Sequence, residues 1–365
     1  MNILILSWRG PGHPLAGGAE QVTREHAKGW IIAGNKITMF TSRFEGGKPS
    51  ETVDGIQIIR RGDQFFGVKL AACKWYWFEN KEKFDLIIDE FHGLPFFTPL
   101  WAPNVKKIGF IHEVAQKVWS LNPWPWPFNK IAAILGKSGE PWIFKLLYTK
   151  VSFMTVSNST AHDLKAWGIK KVTVIPNGVL LPKKLPKVKK DKDFTLIYLS
   201  ALAKDKGVED AIATFNIVKE KIPNAKFWIV GKSYPKYTNY LKSMCPEAKF
   251  WGYVTDENKF DLLSRAHLLI FPSVHEGWGL VIIEAASVGT PTIAYNVSGV
   301  RDAVVEGKTG LMANKETPEE LYKLILELYK SKNLYLKLSK NAKEWSKNFS
   351  WEQSIKESTS LINKI

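Results

Sequence analysis

The sequence predicts an α/β protein built from two doubly wound domains, each with a parallel sheet. Short apolar runs alternate with helix-like segments along the first half, and the same alternation begins again after a stretch rich in lysine and proline. Strands that are apolar on both faces and separated by helices indicate βαβ units. The 365 residues suffice for two such cores, since a domain takes roughly 100–200 residues.

In the first half, six apolar runs predict strands: NILILS, KITMFT, FDLIIDE, KKIGFIHE, VSFMTVS and VTVIPNG. A Gly-rich stretch follows the first of them. It leads into AEQVTREHAKGWIIAG, where apolar residues recur at helical intervals. The order strand, Gly-rich turn, helix, strand is that of a βαβ unit.

The second half repeats this pattern, with predicted strands FTLIYLS, KFWIVGKS, AKFWG, HLLIFPS and TPTIAYN and with helices such as DENKFDLLSRA between them. We place a first domain at 1–180, a linker at 181–192 and a second domain at 193–348, because the composition changes in the Pro/Lys stretch. Two Rossmann-like domains facing each other would form a central cleft at the carboxyl ends of their strands, where α/β sheets bind ligands.

Composition limits the cellular context and the partners. Two distant cysteines argue against a disulfide framework. No basic region precedes the first apolar run, and no run approaches the ~18–20 residues that span a bilayer. We therefore expect a cytoplasmic protein without a signal peptide. The net charge of +16 favours anionic partners; part of it lies in PKKLPKVKKDKD (182–193), which we interpret as a solvated linker.

Two carboxylates in SVHEGWGLVIIEAASVGTP (273–291) need an explanation. Glu284 lies on a helix that we expect to begin near Gly279 and to be buried. Since an unpaired carboxylate there would be costly, Glu284 is either satisfied by backbone donors or binds a polyol such as a ribose. Glu276 lies eight positions earlier, about 12 Å along a helix. That distance exceeds the ~5 Å of the carboxylate pair in a retaining glycosidase.

The glycines between the two carboxylates let backbone N–H groups approach a ligand and place a helix N-terminus against an anion. The spacing therefore suits one extended ligand, with Glu276 at one end, phosphate on the amides and Glu284 at the other end.

The segment HEGWGLVIIEAASVGTP closely resembles the E-x7-E signature of retaining nucleotide-sugar glycosyltransferases with the GT-B fold, glycosyltransferase family 4. The resemblance covers most of the chain. Further matching segments are LAGGAE (the N-terminal Gly-Gly loop), VSNSTAHDLKAWG with VTVIPNGV (the end of the first domain), DKGVEDAI (the Lys-Gly helix start) and GYVTDENKFDLLSRAHLLIFPS. Relatives of this fold carry their last helix back, so we expect residues from about 349 to 365 to pack on the first domain.

The resemblance implies a role for each matching residue. Glu276 would hold hydroxyls of the donor sugar, Glu284 would accept a hydrogen bond from the nucleotide ribose, and Lys206 would neutralise the departing diphosphate. Backbone donors to the sugar and phosphates are implied at Gly17 and Gly18 in the first domain and at Gly277, Trp278, Gly279 and Leu280 in the second.

Three histidines have different status. His112, after KKIGFI, matches a family histidine at the sugar end of the cleft, although a histidine satisfied at a strand end is the commoner explanation on the residues alone. Our catalytic candidates are therefore His112, Glu276 and Lys206, in positioning and electrostatic roles. We expect His26, on the apolar stripe of the first helix, in the core, and His13 to be a loop residue.

The sequence departs from the family before the Lys-Gly motif, where YLSALAKDKG puts Ser200 and Ala201 at positions that usually hold Gly-Arg. The arginine would share the diphosphate with Lys206, so we expect Lys204 to compensate. Leu180 stands where aspartate is frequent, which we expect to matter little. The D-x-D of Asp191 and Asp193 lies in the linker, so we assign no metal site and no cofactor apart from the donor substrate.

The resemblance implies a retaining, metal-independent hexosyltransferase of glycan biosynthesis. It would move a sugar from a UDP- or GDP-sugar to a hydroxyl of a lipid-linked or glycan acceptor and form an α-glycosidic bond. The alternative is a non-catalytic nucleotide-sugar or membrane-lipid binding module, which the missing arginine favours. An epimerase of similar fold, a glycan phosphorylase and a nucleic-acid-binding protein are less favoured, and no G-x-G-x-x-G supports an NAD dehydrogenase.

Residues 119–150 combine aromatic residues with prolines and lysines; the aromatic residues are Trp119, Trp124, Trp126, Phe128, Trp142 and Phe144. The segment is either a buried aromatic loop packed on the first domain or a surface seated in a membrane interface, where aromatic rings and cations favour the headgroups. In the second case, the protein would meet a lipid-linked acceptor at the inner face of the cell membrane.

Overall fold

The computed structural model describes residues 1–121, 126–182 and 189–365. The chain divides into two compact units, one formed by residues 1–178 with 351–365 and the other by residues 179–350. Each unit is an α/β domain with its own sheet, so the predicted class of two α/β domains with parallel sheets is confirmed.

In the first unit the described residues form an eight-stranded sheet in the order β3-β4-β2-β1-β5-β6-β7-β8. Neighbouring strands run parallel except for the antiparallel pair β3 and β4. The central strands are buried along almost their whole length, as strands covered by helices on both faces are. The strands are β1 (Asn2–Leu6), β2 (Lys36–Thr41), β3 (Ser50–Val53), β4 (Ile56–Arg60), β5 (Leu86–Phe91), β6 (Lys106–Ile111), β7 (Ser152–Thr155) and β8 (Val172–Val174).

The helices that connect these strands are α1 (Gly18–Ile32), α2 (Gly67–Phe78), α3 (Thr98–Trp101), α4 (Phe128–Ile143) and α5 (Asn158–Ala166). A 3-10 segment, Gln116–Leu121, lies between β6 and α4. A π-helical segment, Phe144–Tyr148, continues directly from α4.

The described residues of the second unit form a six-stranded parallel sheet in the order β11-β10-β9-β12-β13-β14. The strands are β9 (Thr195–Leu199), β10 (Lys226–Val230), β11 (Lys249–Gly252), β12 (Leu268–Phe271), β13 (Thr292–Tyr295) and β14 (Gly310–Ala313). The helices are α6 (Val208–Lys221), α7 (Pro235–Met244), α8 (Asp256–Arg265), α9 (Leu280–Ser287), α10 (Val300–Ala303), α11 (Pro318–Lys330) and α12 (Lys332–Ser346). A 3-10 turn, Lys204–Lys206, precedes α6.

The last helix, α13 (Trp351–Lys364), belongs to the first unit and packs on α1. The hydroxyl of Ser358 accepts a hydrogen bond from the indole N–H of Trp30 at 3.0 Å and shares another with His26 Nδ1 at 2.9 Å. Gly29 allows the close approach, because a Cβ at that position would lie 2.2 Å from the side chain of Ile355.

The predicted linker is not wholly solvated. Of its residues the structure describes 181–182 and 189–192. Lys190 Nζ donates to the carbonyl of Ala266 at 2.6 Å and to Thr290 Oγ1 at 2.7 Å, and burial lowers the pKa of Lys190 to about 7. This end of the stretch is therefore anchored to the second unit.

Candidate functional site

The segment with the two glutamates is a loop followed by α9. Gly279 has φ +87°, a conformation that favours glycine, and α9 begins at Leu280. The expected helix start near Gly279 is therefore confirmed. Glu276 lies outside the helix, so the expected two helical turns between the glutamates are wrong. The part between Leu280 and Glu284 is only about one turn, or ~6 Å.

Glu276 forms an ion pair with Lys206, which lies at the end of the 3-10 turn. Glu276 Oε1 accepts a hydrogen bond from Lys206 Nζ at 2.9 Å. The ammonium also lies 3.8 Å from a carboxylate oxygen of Asp205. The structure thus brings together two of the three catalytic candidates, although 70 residues separate them in the sequence.

The turn Lys204–Lys206 is held against the loop that carries Glu276. The carbonyl of Asp205 accepts a hydrogen bond from Ser273 Oγ at 3.2 Å. Gly207 has φ +69°, and a Cβ there would lie 1.9 Å from the carbonyl oxygen of Pro272. The close contact between the two backbones fixes the position from which Lys206 reaches Glu276.

Residues 277–280 provide backbone amides beside this ion pair. In the described part of the chain, no backbone carbonyl accepts a hydrogen bond from these four amides. Gly299 supports the loop, since a Cβ there would lie 2.1 Å from the carbonyl oxygen of Glu276. The side chain of Trp278 is buried and packs on Phe349, with 5.1 Å between ring centroids. Any contact of Trp278 with a ligand would therefore come from its backbone.

Glu284 is buried, and its carboxylate is paired with Lys259 of α8. Glu284 Oε1 accepts from Lys259 Nζ at 2.7 Å, and Asp256 lies 2.9 Å from the same ammonium. Burial raises the pKa of Glu284 above its ordinary value, while the charge of Lys259 lowers it. Burial lowers the pKa of Lys259, but the two carboxylates outweigh this effect and raise it. Neither of the two alternatives for Glu284, backbone donors or a ribose, included the partner found here: the carboxylate is paired with the ammonium group of Lys259.

Lys204 differs from Lys206 in its surroundings. Its side chain is exposed, and among the described residues it makes no ion pair. Ala201, at the family's arginine position, is exposed, and its carbonyl accepts a hydrogen bond from the Tyr198 hydroxyl at 3.0 Å. Since Glu276 offsets much of the charge of Lys206, Lys204 provides the less compensated positive charge at this turn.

Gly17 and Gly18, the implied donors of the first unit, lie at the exposed start of α1. The amide of Gly17 donates to Glu20 Oε2 at 2.7 Å. Glu20 also accepts from the indole N–H of Trp8 at 3.2 Å and lies 3.7 Å from Arg9. A ligand that took the amide of Gly17 would therefore have to displace a carboxylate held by other partners.

His112 follows β6 and contacts a buried carboxylate, Glu90, at 3.3 Å. The same oxygen of Glu90 accepts from Thr23 Oγ1 at 2.6 Å and lies 3.3 Å from His92 Nε2. Burial acts to raise the pKa of Glu90, but the two histidines hold it below its ordinary value. Sequence reasoning missed Glu90 and His92, although both lie at the carboxyl end of a parallel strand, where ligand sites form.

The other two histidines have structural contacts. His26 is fully buried, as predicted, and burial lowers its pKa to about 3. His13 Nδ1 accepts from the amide of Leu15 at 3.1 Å, and its ring packs on Phe44.

The structure divides the aromatic set of residues 119–150. Phe144 is in the core, Trp119 donates its indole N–H to Glu140 at 2.9 Å, and Trp124 lies outside the described residues. The side chains that are 60% to 72% exposed are Trp126, Phe128 and Trp142. The alternative of a buried aromatic loop therefore does not describe Trp126, Phe128 and Trp142, although Phe144 is buried. Among the described helices, none has the length and apolar character needed to cross a bilayer.

Two solved structures share the fold of the whole chain. Sucrose-phosphate synthase from Thermosynechococcus elongatus superimposes with a TM-score of 0.80 at 20% sequence identity. The superposition covers 100% of this chain and 98% of the synthase chain. Anabaena HepE, in complex with UDP-glucose, superimposes with a TM-score of 0.73 at 16% identity and covers 100% of both chains. The predicted GT-B fold is confirmed.

Two family models cover most of the sequence. The model described as Glycosyltransferase Family 4 matches residues 16–181, and the model described as Glycosyl transferases group 1 matches residues 182–345. The chain belongs to the GT-B glycosyltransferases of the family 4 kind. An uncharacterized glycosyltransferase of Methanocaldococcus jannaschii is 31% identical to this family 4 chain over 201 residues, 55% of this chain and 54% of the relative. The chain thus spans about half the length of this curated relative.

Proposed function

We propose that this family 4 chain transfers a sugar from a nucleotide-diphosphate sugar to a hydroxyl acceptor. The observation that carries the proposal is the ion pair of Lys206 and Glu276 beside the amides of residues 277–280. A diphosphate is stabilised by a fixed cation and by N–H donors at a helix start. A sugar is bound by carboxylates that accept from its hydroxyls. One GT-B neighbour, Anabaena HepE, is in complex with UDP-glucose, and we propose a UDP- or GDP-sugar as the donor here.

We further propose that the transfer is retaining, metal-independent and forms an α-glycosidic bond. The bond between the anomeric carbon and the phosphate oxygen breaks, the acceptor oxygen bonds to that carbon from the same face, and the acceptor proton passes to the leaving phosphate. Lys206 and Lys204 offset the charge that develops on the diphosphate. Glu284 would accept a hydrogen bond from the ribose beside its bond to Lys259.

In the first unit, we propose that His112 positions the sugar or the acceptor. Its contact with buried Glu90 supports this role, because a histidine held by a carboxylate keeps one ring orientation. Gly17 and Gly18 would contribute backbone donors to the diphosphate after Glu20 moves away from the amide of Gly17.

The acceptor we propose is a lipid-linked or glycan hydroxyl. Exposed Trp126, Phe128 and Trp142 support peripheral contact of residues 119–150 with a membrane. Sedimentation with anionic vesicles tests this contact, and absence of binding at low salt would remove the lipid-linked acceptor from the proposal.

The central test is a thermal-shift panel of UDP, GDP, ADP and dTDP with their common sugars, applied to the wild type and to Glu284→Gln. We expect one base to raise the melting temperature of the wild type and to lose most of that effect in the variant. Lys323→Ala is a suitable control, since Lys323 pairs with Glu320 on the exposed side of α11. Incubation of the selected sugar nucleotide with acceptor hydroxyls, followed by NMR of the product anomer, then tests transfer and retention. A shift without any transfer would favour the binding-module alternative.

A further inference from the structure

One face of the first-unit sheet is covered by α2, by α3 and by the π-helical end of α4. Alternate residues of a strand point to opposite faces, and on β5 this face is that of Ile87 and Phe91. Ile87 packs in a core cluster with Val68 of α2. Phe91 packs on Phe144 of the π-helical segment, with 4.9 Å between ring centroids. The opposite face bears Glu90, which is bonded to α1.

Polar contacts join these covering elements into one layer. Asp89, which lies between Ile87 and Phe91 on β5, accepts hydrogen bonds at 2.7 Å from Thr98 Oγ1 of α3 and from the Tyr148 hydroxyl of the π-helical segment. Trp77 of α2 donates its indole N–H to the carbonyl of Trp101 of α3 at 2.9 Å. The elements α2, α3 and the end of α4 are therefore fixed to one another.

Every element of this layer carries large apolar side chains on its outer surface. Its large apolar side chains that are between 49% and 74% exposed include Leu70 and Trp77 on α2, Leu100 on α3, Ile131 and Leu135 on α4, and Leu146 on the π-helical segment. We call these six residues the apolar outer face. Apolar side chains that recur over adjoining elements mark an interaction surface rather than the scattered exposure of an ordinary protein surface.

The charge around α4 indicates the chemistry of the partner. Between residues 126 and 150 the one carboxylate in the sequence is Glu140, which is 2% exposed and accepts from the amide of Ala115 at 2.9 Å. The exposed charges of this stretch are all positive: Lys130, Lys137, Lys145 and Lys150. An apolar strip beside lysines is complementary to anionic lipid headgroups over acyl chains. In a contact between two copies of the chain through this face, the lysines of one copy would lie against the same lysines of the other copy and repel them.

We propose that the apolar outer face is one docking surface for an anionic lipid bilayer, so that α2 and α3 insert together with α4. This inference rests on the proposed membrane contact of residues 119–150 and extends it to two elements outside that segment. The fixed layer would lie in the plane of the interface, with its apolar side buried ~5–10 Å into the boundary between headgroups and acyl chains. The acceptor served by such a surface carries a lipid.

Flotation with vesicles of equal parts phosphatidylglycerol and phosphatidylcholine tests the extension. Two double variants separate the elements: Leu70→Glu with Leu100→Glu on α2 and α3, and Ile131→Glu with Leu135→Glu on α4. Ile32→Glu is the matched control, because Ile32 is 87% exposed on α1, which covers the opposite face of the sheet. We expect each double variant to bind vesicles about tenfold or more weakly than the wild type, with the control unchanged. Thermal melts check that each variant folds.

If the α2 and α3 variant binds vesicles as the wild type does and binding is lost only in the α4 variant, the proposal that the three elements form one docking surface is wrong. Equal binding of the wild type to pure phosphatidylcholine would overturn the anionic partner. A dimer in sedimentation equilibrium that the α2 and α3 variant loses would assign the face to a second copy instead. Nucleotide-induced thermal shifts on the same variants report the donor site separately, so failure of docking and failure of the proposed transferase function are distinguishable.

Discussion

Replacing Lys259 with methionine would leave the buried carboxylate of Glu284 without its cation. The two groups are 2.7 Å apart, and their side chains are only 16% and 10% exposed. Removal of one partner from a buried ion pair costs ~3–5 kcal/mol, whereas exposed pairs contribute ~0–1 kcal/mol. Because solvent reaches a small part of both groups, we expect Lys259→Met to lower the free energy of unfolding by about 3 kcal/mol.

The loss should depend on pH in a defined direction. Burial already raises the pKa of Glu284, and Lys259 opposes that rise. Without Lys259 the folded-state pKa would rise further, while the unfolded-state value stays near ~4.3. A folded state with a raised carboxyl pKa binds more protons than the unfolded chain and is therefore stabilised as pH falls. The deficit of Lys259→Met should be largest above neutral pH and smaller near pH ~5.

Calorimetric unfolding of four proteins measures this effect: the wild type, Lys259→Met, Glu284→Gln and the double variant. The double variant should be more stable than Lys259→Met alone, because it holds no unpaired buried charge. Lys323→Met is the matched control, since Lys323 forms a 2.6 Å pair with Glu320 but is 66% exposed. A Lys259→Met protein within ~0.5 kcal/mol of the wild type at both pH values would refute the assignment of a buried pair.

Three further predictions concern single residues. Gly207→Ala should destabilise the second unit by ~2 kcal/mol or more in thermal melts, because the new Cβ would meet the carbonyl oxygen of Pro272. Gly252→Ala is the control: Gly252 has φ +65° and its new Cβ would meet no atom within 4 Å, so the variant should lose only the ~1 kcal/mol of backbone strain. Equal losses in the two variants would contradict the contact with Pro272. The free energy of unfolding should depend on pH between ~7 and ~4 through His26, because its folded-state pKa of about 3 lies below the unfolded value of ~6.5. The stability that His26 contributes above pH ~6.5 should fall by up to ~1.4 kcal/mol per pH unit towards pH ~3, and His26→Gln should lower this slope. In steady-state kinetics Lys204→Ala should reduce turnover nearly as much as Lys206→Ala, by ~10-fold or more; wild-type rates in Lys204→Ala would show that Ala201 is not compensated by this lysine.

Much of the fold could be predicted from the sequence because buried parallel strands appear as continuous apolar runs. The edge hairpin of β3 and β4 was missed, since neither strand is a continuous apolar run: β3 has four residues with Val53 as its one apolar residue, and β4 alternates buried and more exposed positions. Its turn, Asp54-Gly55, has positive φ at both residues and carries the sequence signal of a hairpin. Helix α4 was missed for a different reason, because its apolar residues lie on the exposed side and suggested only an aromatic segment.

The parts of the candidate site that depend on residues adjacent in the sequence were predictable. Gly279 and the start of α9 follow from a glycine before an apolar run. The partners of the two glutamates were not predictable in the same way, because Lys259 reaches Glu284 only through the packing of α8 on α9. Periodicity indicates which side of a helix is buried, but it does not indicate which helix covers it.

The two glutamates should respond differently to a donor because Lys206, the partner of Glu276, is itself the proposed cation for the diphosphate, whereas Lys259, the partner of Glu284, is not. A diphosphate competes with Glu276 for Lys206, whose pair is 14% and 21% exposed, and its arrival would release Glu276 to accept from sugar hydroxyls. Glu276→Gln removes that competitor, so we expect it to bind the bare nucleoside diphosphate about two- to fivefold more tightly by calorimetry. The same variant should turn over the sugar nucleotide more slowly, since an amide accepts less strongly from hydroxyls. Weaker binding of the bare diphosphate by Glu276→Gln would mean that Glu276 orients Lys206 for the phosphates rather than competing with them.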